Sequence, residues 1–311
     1  MASLKHSPNR KSMPIAFFGT ADFSAPSLRA LLDAGYSVDP VITKPDAPGK
    51  RGTALQPPQV KTIAEEASIP VLQPASKEEL AAGIGDYPDV TGGVVVAYGM
   101  LIPEEVLNHF SQPLINVHAS LLPRWRGPSP VAAAILHGDQ QTGISLMQLT
   151  PEMDEGPVYL RETIDLEGSE TRPGLEARLA ELGGETIGQR LEDIRGGWLK
   201  PEPQDGSQAT YAPLLDKSAG EIDWQQSAEY LARQIRAFLG WPGSHTLISN
   251  HRVTIEAARP VDQHGQPGTF QFRNGRLIGY AGDGGLDITR LKPAGKSSMT
   301  GDAFARGYMR A

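Results

Sequence analysis

The chain has 311 residues, which exceeds the size at which a single hydrophobic core usually stops growing, so we expect two domains. It contains no cysteine, which excludes disulfides, thiolate nucleophiles and cysteine-ligated zinc and fits a reducing compartment. The net charge of −7 argues only in part against a nucleic-acid partner, because phosphate binding depends on the local field, and no apolar run is long enough to predict a membrane span.

Residues 1–12 form a polar leader that carries Lys5, Arg10 and Lys11. This stretch is very short for an organelle-targeting segment, and it lacks the apolar core of a signal peptide. We therefore interpret it as a disordered extension, with Met13 as an alternative start.

Between residues 13 and 200, apolar runs alternate with stretches of helical spacing. Strands are predicted at Ile15 to Phe18, Val38 to Ile42, Val94 to Ala97, Leu114 to Val117 and Ile144 to Leu149. Helices are predicted at Ser24 to Asp33, Pro58 to Ala67, Pro130 to His137 and Gly174 to Gly196, the last interrupted at Gly183-Gly184. This alternation predicts right-handed βαβ units, and therefore an α/β domain with a mostly parallel, Rossmann-like sheet.

A change of composition predicts a linker at residues 201–213, which are polar and rich in turn residues. Residues 214–311 then contain a predicted helix, Ala228 to Ala237, and short strands at Thr246 to Ile248, Arg252 to Ala257, Gly268 to Phe272 and Arg276 to Tyr280. Asn274-Gly275 is a strong hairpin signal. The pattern favours a small barrel or sandwich as the second domain.

Charge is divided unevenly between the two parts of the chain. Up to Ser218, 18 Lys and Arg accompany 28 Asp and Glu, whereas from Ala219 onward 11 accompany 8. An excess of three basic residues is modest, so charge alone leaves both an ordinary mixed surface and a phosphate-binding surface open for the second domain.

Two polar side chains, Asn116 and His118, lie at the end of the predicted strand that begins at Leu114. Because they are two residues apart, both project to the same side of an extended segment. Pro123 ends any continued strand or helix, so the chain must enter a loop at the edge of the sheet where ligands bind. A lone histidine is more often structural than catalytic, so the interpretation depends on its neighbours.

Asp154 follows the next predicted strand, Ile144 to Leu149. Because the carboxyl ends of neighbouring parallel strands lie side by side, we expect Asp154 to meet His118. A carboxylate beside an imidazole favours its charged form, which would let His118 carry a proton. Spacing alone leaves Glu152 and Glu155 open as the acidic partner, and leaves open an ordinary loop aspartate.

Several motifs resemble those of the folate-dependent formyltransferase family. They are Phe18 to Phe23, Ala97 to Gly99, Asn116 to Gly127 (NVHASLLPRWRG), Met153 to Gly156 (MDEG), and Arg236-Ala237-Phe238 followed by Trp241-Pro242. The resemblance covers nearly the whole chain from Met13 to Met299 and implies Asp154 as the acidic residue. It also implies 10-formyltetrahydrofolate as the formyl donor, the α-amino group of methionine esterified to initiator tRNA as the acceptor, and an OB-like barrel as the second domain.

Other kinds of catalytic centre lack their motifs, since the sequence contains no Gly-x-Ser-x-Gly elbow, no His-Glu-x-x-His and no Walker sequence, and we predict no metal. This favours direct attack by the amine of the acceptor. In the resulting tetrahedral intermediate Asn116 would donate a hydrogen bond to the oxyanion, and His118 would shuttle a proton to the leaving nitrogen.

The resemblance also implies binding residues. Folate is expected beside Ser120, Leu121, Leu122 and Pro123, and beside Ala97, Tyr98 and Gly99, although a simple turn explains the last three equally well. Contacts with tRNA are expected from Lys50 and Arg51 in the basic stretch Lys44 to Gly52. Independently of the resemblance, Arg124 and Arg126 flank Trp125, a basic triplet that suits a phosphate and a stacked base, although an isolated triplet of this kind is more often a solvated loop. Ala47 departs from relatives that carry arginine at this position, which leaves the strength of the loop's phosphate contact open.

Three functions remain open at this point. The first is formylation of methionyl initiator tRNA, by a monomer in the bacterial cytoplasm. The second is formylation of a small amine, such as an amino sugar nucleotide or glycinamide ribonucleotide, against which the basic loop and the basic second domain argue. The third is RNA binding without catalysis, against which Asn116, His118 and Asp154 argue.

Overall fold

The computed structural model describes residues 10–48 and 54–309. Its strands are β1 (Ile15–Gly19), β2 (Val38–Ile42), β3 (Ala47–Pro48), β4 (Leu55–Gln56), β5 (Val71–Leu72), β6 (Gly93–Val96), β7 (Leu114–His118), β8 (Gln141–Gln148), β9 (Val158–Asp165), β10 (Ser244–Ile248), β11 (His251–Val261), β12 (Phe270–Arg273), β13 (Arg276–Tyr280), β14 (Gly285–Pro293) and β15 (Met299–Thr300). Its α-helices are α1 (Ala25–Asp33), α2 (Gln59–Glu66), α3 (Lys77–Gly85), α4 (Glu104–His109), α5 (Pro130–His137), α6 (Arg172–Arg195), α7 (Ala228–Ala237) and α8 (Gly301–Tyr308).

The chain divides into two compact units. Unit 1 consists of Met1–Arg126, Gly143–Ile164 and Glu176–Tyr211, and unit 2 consists of Gly127–Thr142, Asp165–Leu175 and Ala212–Ala311. The predicted leader ends in a 3₁₀ turn, Arg10–Ser12, and its remaining residues lie outside the described part of the chain. The domain boundaries at residues 200 and 214 stay a prediction.

The sheet of unit 1 confirms the predicted fold class. Its strand order is β5-β2-β1-β6-β7-β8-β9, and the pairs β2–β5, β1–β2, β1–β6 and β6–β7 are parallel. The central strand β1 is fully buried, as expected for an apolar run covered on both faces. The chain proceeds to opposite sides of β1 through β2 and β6, so the topological switch point, where ligands bind in such sheets, lies between β1 and β6.

The expectation that the strands before His118 and Asp154 run parallel is wrong. Strands β7 and β8 are antiparallel, with His118 opposite Ser145 and Ile115 opposite Gln148. Their carboxyl ends therefore lie at opposite edges of the sheet. Asp154 instead approaches His118 through the loop after β8.

The predicted interruption of the last helix of this region is also wrong, because α6 runs unbroken through Gly183-Gly184. These glycines allow close packing: a Cβ atom on Gly183 would lie 2.8 Å from Val117 Cγ1, and one on Gly184 would lie 2.9 Å from the carbonyl carbon of Pro26. No helix within the described residues, α6 included, has the length and apolar character that a membrane crossing requires.

Unit 2 contains an antiparallel sheet in the order β10-β11-β14-β13-β12, with β15 paired to β14. The predicted helix α7 and strand β13 have the predicted bounds, and Asn274-Gly275 forms the predicted turn between β12 and β13. Strands β14 and β15 and helix α8 have no counterpart among the predicted elements. The helix α7 is amphipathic, and its apolar face packs into a core with Ile255, Leu286 and Phe304.

Candidate active site

The carboxyl edge of the parallel part of the sheet brings two of the predicted site segments together. Asn116 and His118 lie two residues apart on β7, and Val95 of β6 pairs with Asn116. Continuing this parallel register by two residues places Ala97, directly after β6, level with His118. The turn at Ala97 to Gly99 and the polar end of β7 are therefore neighbours at one edge of the sheet.

The imidazole of His118 is buried, with only 7% of the residue exposed, and it is held in one orientation. Its Nε2 lies 3.0 Å from the carbonyl oxygen of Trp125. A carbonyl oxygen can only accept, so Nε2 carries the proton and donates this hydrogen bond. The other nitrogen, Nδ1, lies 3.7 Å from Asp154 Oδ1 and is the nitrogen that can gain or lose a proton.

Asp154 reaches His118 because the loop after β8 turns back. Strand β8 ends at Gln148 opposite Ile115, three residues and about 10 Å along β7 from His118. The loop covers this distance in the opposite direction and presents Asp154, whose side chain is 14% exposed, to the imidazole. The backbone of Asp154 is left-handed, with φ 54°, a conformation that aspartate adopts more readily than most residues. The third predicted group, Asn116, is half-buried, and within the described residues its carboxamide has no hydrogen-bond partner.

The predicted folate segment after β7 is held mainly through its backbone. Ser145 Oγ accepts from Leu122 N at 3.0 Å and donates to Ser120 O at 2.7 Å. The side chains of Ser120 and Leu122 are buried, whereas Leu121 and Pro123 are half-exposed. A ligand at this edge can therefore meet Leu121, Pro123 and the backbone of the segment.

The turn after β6 lies at the topological switch point. Thr20, which follows β1, donates from Oγ1 to Tyr98 O at 2.9 Å. The ring of Tyr98 is 2% exposed and packs edge-on against Phe18 in the core, and burial raises the pKa of its phenol to about 12. Because Tyr98 faces the core, a ligand here meets the backbone of the turn, where Gly99 (φ 75°) has no side chain.

Comparisons with known proteins place the chain in a family. The family model "Formyl transferase" matches residues 13–191, and "Formyl transferase, C-terminal domain" matches residues 214–309. The chain belongs to the formyl transferase family. It is 41% identical over 298 residues to a methionyl-tRNA formyltransferase of Stutzerimonas stutzeri, and the match covers 93% of each chain. It is 40% identical over 305 residues to that of Marinobacter nauticus, which covers 95% of this chain and 96% of the other.

A solved structure shares the fold of this formyltransferase at low sequence identity. It is WlaRD, a sugar 3N-formyl transferase determined in the presence of dTDP and 5-N-formyl-THF. The TM-score is 0.69 at 16% identity, and the match covers 92% of this chain and 99% of WlaRD.

Among Arg124, Trp125 and Arg126 of the formyltransferase, only Arg124 is exposed. Its guanidinium lies 4.3 Å from the centre of the Trp125 ring, and Trp125 itself is 6% exposed, so a nucleic-acid base could stack on this indole only by displacing Arg124. Arg126 is buried, and it contacts Glu155 Oε1 at 3.1 Å and Gln204 Oε1 at 3.1 Å. In this arrangement Arg126 supports the loop of Asp154.

The basic stretch after β2 is described only in part, because Lys50 and Arg51 lie outside the described residues. Strands β3 and β4, on either side of residues 49–53, pair as a short antiparallel ladder. Just before β3, Asp46 is held by Lys61 Nζ at 3.0 Å and by Gln73 Nε2 at 2.7 Å, hydrogen bonds that lower the pKa of its carboxyl. The predicted RNA contacts of Lys50 and Arg51 stay a prediction.

Sequence reasoning missed Gln204 and Thr210, which lie in the predicted linker. Gln204 donates to the backbone of the Asp154 loop, and Thr210 accepts from Trp125 N. Neither stands in a recognisable catalytic motif, so only their tertiary contacts distinguish them from ordinary turn residues.

Proposed function

We propose that this formyltransferase transfers a formyl group from 10-formyltetrahydrofolate to the α-amino group of methionyl initiator tRNA. The observation that carries the proposal is the 41% identity to a methionyl-tRNA formyltransferase over 93% of both chains. The acceptor and the donor are both substrates. We assign the chemistry to side chains at the carboxyl edge of the unit 1 sheet.

His118 is proposed to move the proton. The acceptor amine must lose a proton when its nitrogen bonds to the formyl carbon, and the nitrogen that leaves must gain one. Nδ1 of His118 accepts the first proton and returns it to the leaving nitrogen, while Nε2 stays bound to Trp125 O. Asp154, 3.7 Å from Nδ1, stabilises the imidazolium that exists between the two transfers.

Asn116 is proposed to stabilise the oxyanion. When the amine adds to the formyl carbon, the carbonyl oxygen gains negative charge. The carboxamide of Asn116 is on the same side of β7 as His118 and has no partner within the described residues, so its N–H groups are available to donate. One such donor is worth about 10²- to 10³-fold in rate in other enzymes.

Folate is proposed to bind between the turn at Ala97 to Gly99 and the segment Ser120 to Pro123. This region combines the switch point of the sheet, exposed backbone groups, and the half-exposed Leu121 and Pro123. Its position beside Asn116 and His118 is where a formyl donor must present its reacting carbon. The ammonium of Lys44 is near this region, since it lies 3.2 Å from the point where a Cβ atom on Gly99 would be.

The tRNA is proposed to contact the basic loop at Lys50 and Arg51, the exposed Arg124, and unit 2. In unit 2, Asp287 Oδ2 accepts from Arg259 and from Arg276, each through both Nε (3.0 Å) and Nη2 (2.9 Å). The carboxylate is buried, whereas the arginines are 68% and 37% exposed in their side chains. Two guanidiniums share one carboxylate, so this arginine pair keeps a positive charge that suits an RNA phosphate.

Formylation of a small amine is the second candidate function. The likeness to the sugar 3N-formyl transferase favours it, since the match covers 99% of that chain. At 16% identity this likeness shows the fold alone. Binding of RNA without catalysis is the third, and Asn116, His118 and Asp154 at one sheet edge argue against it.

The experiment that tests the proposal measures formyl transfer from 10-formyltetrahydrofolate to charged initiator tRNA, with uncharged tRNA and an amino sugar nucleotide as controls. We expect product only with the charged tRNA. Transfer to the sugar nucleotide alone would favour the second candidate, and RNA binding with no transfer would favour the third. The proposal includes a bacterial cytoplasmic location and a monomeric state. Sedimentation would check the monomeric state.

A further inference from the structure

Residues 202–211, which lie within the predicted linker at residues 201–213, are fixed at one end to β9 and at the other end to the loop after β7. Glu202 and Val158 exchange two backbone hydrogen bonds, at 2.8 and 2.9 Å. At the other end, Thr210 O accepts from Arg126 N at 2.9 Å, and Thr210 N donates to Pro123 O at 3.3 Å. The segment therefore lies along the two loops that carry Asp154 and Trp125.

Gln204 holds the loop of Asp154 with every polar group of its carboxamide. Its Nε2 donates to Asp154 O at 2.8 Å and to Gly156 O at 2.7 Å, and its Oε1 accepts from Arg126 Nε at 3.1 Å. Arg126 in turn contacts Glu155 Oε1 at 3.1 Å. Three consecutive residues of the loop are thus held by Gln204 and the arginine bound to it.

The loop needs such support because of the conformation of Asp154. A residue other than glycine at φ 54° has a strained backbone, and this conformation persists only where its surroundings hold it. The direction of the Asp154 side chain toward His118 Nδ1 follows from this backbone. Loss of the hydrogen bonds from Gln204 would let the loop relax and turn the carboxylate away.

Thr210 supports the other side of the pair. Its Oγ1 accepts from Trp125 N at 2.9 Å, and Trp125, also left-handed at φ 59°, presents its carbonyl oxygen to His118 Nε2 at 3.0 Å. That contact keeps the proton on Nε2 and leaves Nδ1 to face Asp154. Thr210 therefore acts on the imidazole through one residue, as Gln204 acts on the carboxylate.

We infer that Gln204 and Thr210 are positioning residues for the His118–Asp154 pair: one segment fixes both the tautomer of the imidazole and the direction of the carboxylate. Neither side chain touches the reacting atoms. The inference rests on the proposed function for the role of the pair, but the effect on the imidazole tautomer does not depend on any substrate.

The test uses the full chain with paired variants. Gln204→Glu keeps the shape but removes both N–H donors, and Gln208→Glu makes the same change four residues later, where the side chain is exposed and bonds Asp205. Thr210→Val removes the hydroxyl, and Thr210→Ser retains it. The measurements are kcat, KM for each substrate, the pH profile of kcat, and the thermal midpoint.

We expect Gln204→Glu and Thr210→Val to lower kcat by about 10- to 100-fold, as small misplacements of catalytic groups do, with both KM values within about threefold. The limb of the pH profile that disappears in His118→Asn should shift. Gln208→Glu and Thr210→Ser should stay within about threefold of wild type. Unchanged kcat and pH profiles in folded Gln204→Glu and Thr210→Val would overturn the inference, as would a lowered thermal midpoint with unchanged kcat.

A second measurement separates this inference from the proposed function. In ¹⁵N NMR of histidine-labelled protein without substrates, the His118 signals, identified by their loss in His118→Asn, should report a proton on Nε2. Thr210→Val should alter that pattern, and Thr210→Ser should restore it. If wild type shows no formyl transfer but the tautomer responds in this way, the proposed function fails and the inference stands. If Thr210→Val does not fold, the kcat and pH profile of Gln204→Glu decide.

Discussion

Two carboxylates in this protein face basic partners in opposite ways. In unit 1, Asp154 faces His118, and both side chains are at most 14% exposed. In unit 2, the side chain of Asp287 is 5% exposed, but its two arginine partners extend into solvent. The first arrangement pairs one carboxylate with one imidazole in an enclosed position, and the second keeps an excess positive charge at the surface.

The difference matches what each arrangement can do. Enclosure strengthens electrostatic interactions and fixes geometry, which proton transfer requires, and it protects the pair from salt. Exposure lets the arginine pair of unit 2 meet a large anionic partner, at the cost of screening by salt. Changes to the buried pair should therefore alter turnover, and changes to the arginine pair of unit 2 should alter affinity and its salt dependence.

The largest effect is expected at the buried pair. His118→Ala and Asp154→Ala should each lower kcat by about 10²- to 10⁴-fold, because each removes part of one proton-transfer unit. The double variant should cost little more than the worse single one, since coupled catalytic residues are not additive. Single-turnover rates at saturating substrate would measure this.

Fully additive losses would contradict the coupling of His118 and Asp154. The control is the folded state of each variant, because a merely structural pair would lower the thermal midpoint along with activity. Asp154→Asn, which keeps the size of the side chain, should lose activity while its thermal midpoint remains near that of wild type.

A smaller effect is expected at the arginine pair of unit 2. Arg259→Gln or Arg276→Gln should weaken tRNA binding by about tenfold and make its dependence on salt shallower by about one unit of slope. The matched control is Arg306→Gln, because Arg306 is similarly exposed but forms a one-to-one pair with Asp302. Equal losses in the control would show that net charge, rather than this site, governs binding, and a changed kcat at saturating tRNA would contradict the division between the units.

A similar but weaker effect is expected for the basic stretch of unit 1. Arg51→Ala should raise the KM for tRNA several-fold, leave folate binding unchanged, and lower the salt slope by about one unit if the residue meets a single phosphate. Lys77→Ala removes an exposed charge elsewhere in unit 1 and should have no such effect. An unchanged salt slope in Arg51→Ala would indicate that this stretch is an ordinary solvated loop without a phosphate contact.

The last prediction concerns stability rather than activity, and it follows from burial. Because the pKa of Tyr98 is raised to about 12 from 10.0, the folded state retains a proton that the unfolded state loses. The stability from this residue is complete below pH 10 and is lost as the pH rises through 12, by about 3 kcal/mol for a shift of two pKa units. Between pH 10 and pH 12, the free energy of unfolding, measured by denaturant titration, should fall less in Tyr98→Phe than in wild type. The exposed Tyr211→Phe should follow wild type, and identical curves for all three would show that Tyr98 ionises freely.

Local patterns determined much of this protein in advance. Apolar periodicity, which acts over a few residues, predicted the bounds of α7 and β13 and the strand that carries Asn116 and His118. Pro123 predicted the loop after that strand. The pairing of His118 with Asp154 came from the family resemblance, and the argument from parallel strands that accompanied it was wrong.

Only the tertiary structure decided how the site is assembled. The antiparallel direction of β8 does not follow from its own apolar run. The helix α5 packs with α7 in unit 2, where Arg233 Nε donates to Leu136 O at 2.9 Å, although it lies in the sequence among the elements of unit 1. The contacts of Gln204 and Thr210 join residues 50 and 85 positions apart. Single hydrogen bonds over such separations leave no periodic signal, because the chain must fold before donor and acceptor meet.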